Sequence, residues 1–178
     1  SYLTFLLFTS LLAAGYECSL STEEKQQILN AHNFLRANLA VNGEGQQPRA
    51  ADMTSMRWNE KSARLAQKWA DSCVAGHDSN SDRAYGGHFW VGQNWAGNTG
   101  YSMLYSVRSW WKDEINDYDY ASKSCSGVCG HYTQMAWSRS LEVGCGMADC
   151  SNKGGYKINV VCNYGPGGNF NNEAVYSR

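Results

Sequence analysis

Residues 141–164 read Leu-Glu-Val-Gly-Cys-Gly-Met-Ala-Asp-Cys-Ser-Asn-Lys-Gly-Gly-Tyr-Lys-Ile-Asn-Val-Val-Cys-Asn-Tyr. Leu141, Val143, Cys145 and Met147 recur at every second position, and so do Tyr156, Ile158, Val160, Cys162 and Tyr164. A period of two puts alternate side chains on one face, so both runs predict half-buried strands. Ser151-Asn152-Lys153-Gly154-Gly155 between them is rich in turn formers, which predicts an antiparallel hairpin. Cys145 and Cys162 share the apolar phase of their strands and can meet on the inner face.

Upstream of the hairpin the pattern is helical. Ser21-x-x-Glu24 has the form of a capping box and opens an amphipathic segment with Ile28, Ala31, Leu35 and Leu39 on one face. A second helix is predicted over Asn59–Cys73, where Ala63, Ala66, Trp69 and Ala70 fall at helical spacing. Residues 78–100 are rich in Gly, Asn and Ser and read as loop with room for one short strand. A third helix is predicted over 102–116 and a short fourth over 131–136. Helices first and strands mostly later make the fold class α+β, with helices packed on an antiparallel sheet.

The 178 residues suit one domain with a sizeable core. Only 17% are charged, and seven Trp, eleven Tyr and five Phe argue against intrinsic disorder. A net charge of −1 leaves no basic excess to neutralise phosphates, which excludes the electrostatic case for nucleic acid. Residues 1–16 carry no charge, and the apolar run Leu3–Ala14 ends in Ala13-Ala14-Gly15. That run is short of the roughly 20 residues of a membrane span, so no transmembrane anchor is expected. It fits a signal peptide over residues 1–15, incomplete at its start, with a single domain from residue 16 and a secreted, extracellular product.

In an oxidising compartment cysteines pair rather than hold metal. They stand at positions 18, 73, 125, 129, 145, 150 and 162. Cys125 and Cys129 are near enough to close a small loop. With Cys145 and Cys162 in the hairpin, Cys73 is left for Cys150 and Cys18 is over, free or intermolecular. The expected state is accordingly a monomer or weak dimer. Sequence alone permits other connectivities.

Met103, Val107, Trp110 and Glu114 are spaced to share one helix face. A carboxylate on an apolar stripe calls for a partner or a wet cavity. The candidates are His32, His77, His88 and His131, the four histidines of the chain. Two histidines and a carboxylate could hold a divalent metal with water, serve as acid and base, or form a satisfied structural network. His32 and Arg36, one helical turn apart, read as a brace for the first helix, and His88, in Gly86-Gly87-His88, as an exposed loop residue. No Asn-x-Ser/Thr sequon occurs.

Gly130-His131-Tyr132-Thr133-Gln134-Met135-Ala136-Trp137 and Val161-Cys162-Asn163-Tyr164-Gly165-Pro166-Gly167-Gly168-Asn169 resemble the two signature motifs of the CAP superfamily. This is the group of cysteine-rich secretory proteins, antigen 5 and pathogenesis-related 1 proteins, also called SCP/TAPS. His32-Asn33-x-x-Arg36, Gly92-Gln93-Asn94 and the phrase Trp58…Leu65-Ala66…Trp69-Ala70…Cys73…His77 extend the resemblance over roughly residues 22–170. It implies a three-layer α-β-α sandwich and the disulfides Cys73–Cys150, Cys125–Cys129 and Cys145–Cys162. It also implies a cavity tetrad of two His and two Glu, carried over to His77, His131, Glu114 and the position of Gln93. Glutamine there removes a negative charge, which lowers the expected affinity for a divalent metal such as Zn or Mg at His77 and His131. No cofactor is required.

Three functions follow from the resemblance. The leading one is binding of a small hydrophobic ligand, a sterol or a fatty acid. Phe89, Trp90, Trp95, Tyr101 and Tyr105 would cover a ring system from a glycine-rich loop, and Leu35, Leu39, Met103, Leu104 and Val107 would line a groove between the first and third helices. The second is an interaction protein of defence, venom or immune modulation, with an extracellular receptor. The third, hydrolysis with His131 as base and Glu114 as its orienting carboxylate, is weakened by the absence of Gly-x-Ser-x-Gly and His-Glu-x-x-His. Binding rather than catalysis is the expectation.

Overall fold

The computed structural model describes residues 20–153 and 155–178. The expected leader and Cys18 lie outside the described residues. Helix α1 (Thr22–Asn42) begins at the capping box: the Ser21 hydroxyl accepts from the Glu24 N–H, and the Glu24 carboxylate takes the Ser21 N–H at 2.8 Å. It ends at Gly43, whose φ of 69° suits glycine and whose N–H reaches the Leu39 carbonyl. Its buried stripe is Ile28, His32, Arg36 and Leu39, while Ala31 and Leu35 lie half-buried at the edge. The apolar reading missed this rotation because two polar residues are buried, each fully engaged.

Those two residues fasten α1 to the rest of the molecule. Arg36, 1% exposed, donates from Nε to the Thr54 carbonyl, from Nη1 to those of Met135 and Trp137, and from Nη2 to those of Ser138 and Ser140. The five donors of the guanidinium thus engage five carbonyls, those of Met135 and Trp137 at the end of the helix Gly130–Ala136 among them. His32 is held between the Ile28 carbonyl and the Tyr164 hydroxyl, at 2.8 and 3.0 Å.

The hairpin forms with β5 (Glu142–Asp149) antiparallel to β6 (Ile158–Gly165), and Cys145 stands opposite Cys162 in disulfide linkage, Cα atoms 4.1 Å apart. The strands are buried on both faces, not half-buried as expected. The reason is α2 (Glu60–Ser72), capped by the Asn59 side chain, which lies directly on the face assigned to solvent. A β-carbon on Gly144 would run into the backbone of Asn59 and Ala63, and one on Gly146 into that of Gln67. Small residues on both sides permit this close approach: Ser62, Ala63, Ala66 and Ala70 are the buried positions of α2.

Residues 78–100 hold more structure than their composition suggested. A short helix, α3 (Asn80–Arg83), is followed by the seven-residue β2 (Gly92–Asn98), antiparallel to β6 at the sheet edge. Gly92 leaves room for the Gln134 amide and Gly97 for the Tyr156 ring, so the glycines mark packing rather than loop. At the other edge β1 (Arg57–Trp58) pairs parallel with β5, giving the order β1-β5-β6-β2. Helix α4 (Met103–Lys112) stops at Asp113, before the expected 116, and α5 (Gly130–Ala136) follows a small hairpin of β3 (Tyr118–Asp119) and β4 (Ser124–Cys125).

The result is three layers. Helix α2 covers one face of the sheet, with Ala66, Ala70, Ala148, Cys150 and Val161 between them. Helices α1, α4 and α5 cover the opposite face around Ile28, Val107, Trp111, Tyr132 and Tyr164. Cys73–Cys150 ties the end of α2 to the sheet, and Cys125–Cys129 links β4 to the start of α5. These are the pairs that the resemblance implies. No described helix is long and apolar enough to cross a membrane.

Candidate functional site

The four residues carried over as a tetrad form two hydrogen-bonded pairs. His77 reaches Gln93 just past the end of α2, its Nδ1 donating to Oε1 at 2.8 Å. The Gln93 amide spends its two protons on Asp78 Oδ1 and Asn163 Oδ1, both at 2.9 Å. Asp78 also holds Arg83 at 2.7 Å in a buried ion pair. A carboxylate at position 93 would have no proton for either acceptor and would confront Asp78. Glutamine is therefore built into this network rather than merely short of a charge.

The second pair joins α4 to α5. Glu114 lies in the turn after α4, not on the helix, yet it is only 8% exposed. Its Oε2 accepts the backbone N–H groups of His131 and Tyr132, at 2.8 and 3.1 Å, and its Oε1 meets His131 Nδ1 at 2.5 Å. His131 Nε2 lies 3.1 Å from the Trp95 carbonyl, and the Trp110 ring stacks on the imidazole at 5.4 Å. Each ring nitrogen of His131 faces an oxygen, so a metal at either would have to displace that contact. Among the described residues no three His, Cys, Asp or Glu side chains converge as metal ligands. Both nitrogens of His131 are thus engaged, whereas His77 has Nδ1 alone engaged, by Gln93.

The residues named for lipid contact separate into different places. Leu39, Met103 and Val107 are core, at most 3% exposed, and do not line the groove between α1 and α4. Leu35 and Leu104 do face an open groove of about 640 Å³ between α1 and α4, together with Ala31, Phe34, Arg108 and Lys112. The last two escaped the sequence reading, although their spacing of four beside Leu104 places them on one side of α4. The loop aromatics have different neighbours. Trp90 donates to the Gly168 carbonyl under the Arg83 guanidinium. Trp95 packs towards α2 and donates to Asn159. Tyr101 and Tyr105 stack on each other near His131, and Phe89 is 92% exposed. Trp95, Tyr101 and Tyr105 thus border one pocket beside His131, while Phe89 and Trp90 stand apart from it.

His88 is half-buried rather than exposed, edge-on to Tyr85 and 3.4 Å from Glu142. Glu142 also takes Arg57 and Asn59. Burial pulls its carboxyl upward, but the hydrogen bonds and charges of Arg57 and His88 outweigh this and hold it below the usual carboxylate range.

A three-layer sandwich closed by three disulfides is a class of scaffold suited to an extracellular protein. The chain belongs to the CAP family, the cysteine-rich secretory protein family, whose model matches residues 29–164. It is 40% identical over 169 residues to venom allergen 5.02 of Vespa crabro, covering 89% of this chain and 82% of that protein. Venom allergen 5 of Vespula flavopilosa is 41% identical over 170 residues, covering 88% and 81%. Among solved structures, the Schistosoma mansoni venom allergen-like protein 4 superposes with a TM-score of 0.76 at 28% identity, over 89% of this chain and 96% of that one. NaASP2, in a crystal structure with Zn2+, gives 0.72 at 25% identity over 89% and 87%.

Proposed function

We propose that this protein is a secreted CAP-domain binding protein whose ligand is an amphipathic lipid anion of the fatty-acid type, held between α1 and α4. The carrying observation is the groove itself. Its volume of about 640 Å³ lies within the roughly 300–1,000 Å³ of small-molecule sites. Its apolar surface comes from Ala31, Phe34, Leu35 and Leu104, and Phe34 is left 73% exposed. Arg108 and Lys112 stand beside it, and neither is in an ion pair among the described residues. An acyl chain gains from the apolar wall, and a carboxylate gains from the two cations. A sterol finds less support, because Phe89 and Trp90 stand apart from the pocket that Trp95, Tyr101 and Tyr105 border.

The reading is one of binding. His131 and Glu114 are held by each other and by backbone groups, an arrangement that serves structure before catalysis. Secretion is supported by the disulfides and by the leader-like composition of residues 1–15. A defence, venom or immunomodulatory role is supported by the likeness to venom allergens. Displacement of a fluorescent fatty acid tests the site. Ala31→Trp, which fills the groove, is expected to weaken binding at least about tenfold, while Trp90→Ala with Trp95→Ala leaves it unchanged. Equal affinity in wild type and Ala31→Trp would sink the assignment.

A further inference from the structure

The two sides of α4 differ in charge. Arg108 and Lys112 face the groove against α1. Ser109 and Asp113, each one residue further on, face a separate pocket of about 330 Å³ against β2. Tyr101, Tyr105 and Trp110 supply its aromatic surface, and Glu114 and His131 lie within it. The charges there do not balance. Glu114 is matched by His131 and by two backbone N–H groups. Asp113 has only the Ser109 hydroxyl as a side-chain partner among the described residues. It also caps the C-terminal end of α4, where the helix dipole is already negative and a carboxylate is disfavoured. Lys112, which offsets that end of the helix, is turned towards the other groove.

We propose that this pocket binds a small organic ammonium ion, of the arylalkylamine class, through Asp113 and an outer face of the stacked Tyr101–Tyr105 pair. The donor set selects this class over an inorganic cation. A hard divalent ion needs about six oxygen ligands, whereas one uncommitted carboxylate faces this pocket. An ammonium ion needs one carboxylate, and aromatic faces supply the rest of its attraction. The stacked pair Tyr101 and Tyr105, ring centroids 4.2 Å apart and both about half exposed, presents such a face beside Asp113. A pocket of this size takes one aromatic ring with a short amine tail. The inference stands on residues distinct from those of the α1/α4 groove.

Calorimetric titration at pH 7 tests it with phenethylammonium, its neutral analogue phenethyl alcohol, the anion phenylacetate, tetramethylammonium and Ca2+. The two ammonium ions are expected to bind, with the alcohol, phenylacetate and Ca2+ at least about tenfold weaker. Asp113→Asn, which keeps a partner for Ser109, should weaken ammonium binding about fivefold, the loss expected for one partly exposed ion pair. Tyr105→Leu should weaken it about threefold, and Ala31→Trp should leave it unchanged. Unaltered circular dichroism and thermal melting identify variants that are folded. Phenethyl alcohol binding as tightly as phenethylammonium, no ammonium binding at millimolar concentration, or an unchanged affinity in folded Asp113→Asn would each overturn the proposal.

Discussion

Acid should destabilise this fold through one histidine. His32 sits in a closed relay: the Asn94 amide donates to the Tyr164 hydroxyl at 3.3 Å, that hydroxyl donates to His32 Nε2, and His32 Nδ1 donates to the Ile28 carbonyl. Burial also pushes the Tyr164 hydroxyl pKa upward, so it stays protonated as the donor. The relay needs neutral imidazole, because a proton on Nε2 would face the hydroxyl proton. Burial is the main force lowering the His32 pKa from 6.5 to about 4; the Ile28 carbonyl opposes it and the Arg36 charge adds to it. Between those two values the unfolded chain binds a proton that the folded chain refuses. Stability from this residue is therefore complete above about pH 6.5 and falls as the pH drops towards 4. At 1.36 kcal/mol for each pH unit the loss is about 3 kcal/mol. Urea unfolding followed by tryptophan fluorescence from about pH 4 to 7 measures it. His32→Gln retains a donor and an acceptor but does not titrate, so the difference between wild type and variant should shrink by about 3 kcal/mol across the range. Parallel pH profiles for the two proteins would mean that His32 does not carry the acid sensitivity.

Two further outcomes follow from the buried polar networks. Arg36→Met removes a donor from each of five carbonyls and should cost about 4 kcal/mol in urea unfolding; a loss below about 1 kcal/mol would mean that water replaces the guanidinium. Gln93→Glu sets a second carboxylate against Asp78 and should cost about 1–2 kcal/mol at pH 7. Asp78 would raise the pKa of the introduced carboxyl, so this loss should fade as the pH falls to about 4. A loss independent of pH would count against the network.

The parts of this fold that were readable are those in which a local rule and the tertiary structure agree. The phase of Cys145 and Cys162 placed the disulfide inside the hairpin because register and burial share the same period of two. Ser21 with Glu24 marked a true helix start, since capping is decided within four residues. Strand β2 was legible only as room for one short strand, because Gly92 and Gly97 answer to Gln134 and Tyr156, which are distant in sequence. The same holds for the solvent face of the hairpin, where Gly144 and Gly146 admit α2. At the candidate site, the pairing of Glu114 with His131 was visible as a carboxylate in need of a partner. The groove was half legible: Leu35 and Leu104 were named, but Met103 and Val107 lie on the buried side of α4, and Leu39 is core because of how α1 is rotated. That rotation follows from the burial of His32 and Arg36, which hydrophobic periodicity cannot register.

If a carboxylate sits against Arg108 and Lys112, the cations of α4 select an acidic lipid over its neutral ester. Titration of one fatty acid and its methyl ester into wild type and into the double variant Arg108→Glu with Lys112→Glu tests this most directly. Wild type should prefer the acid at least about tenfold, and the charge-reversed variant should lose that preference while still binding the ester. Equal affinity of wild type for acid and ester, or a preference for the acid that survives charge reversal, would contradict the account.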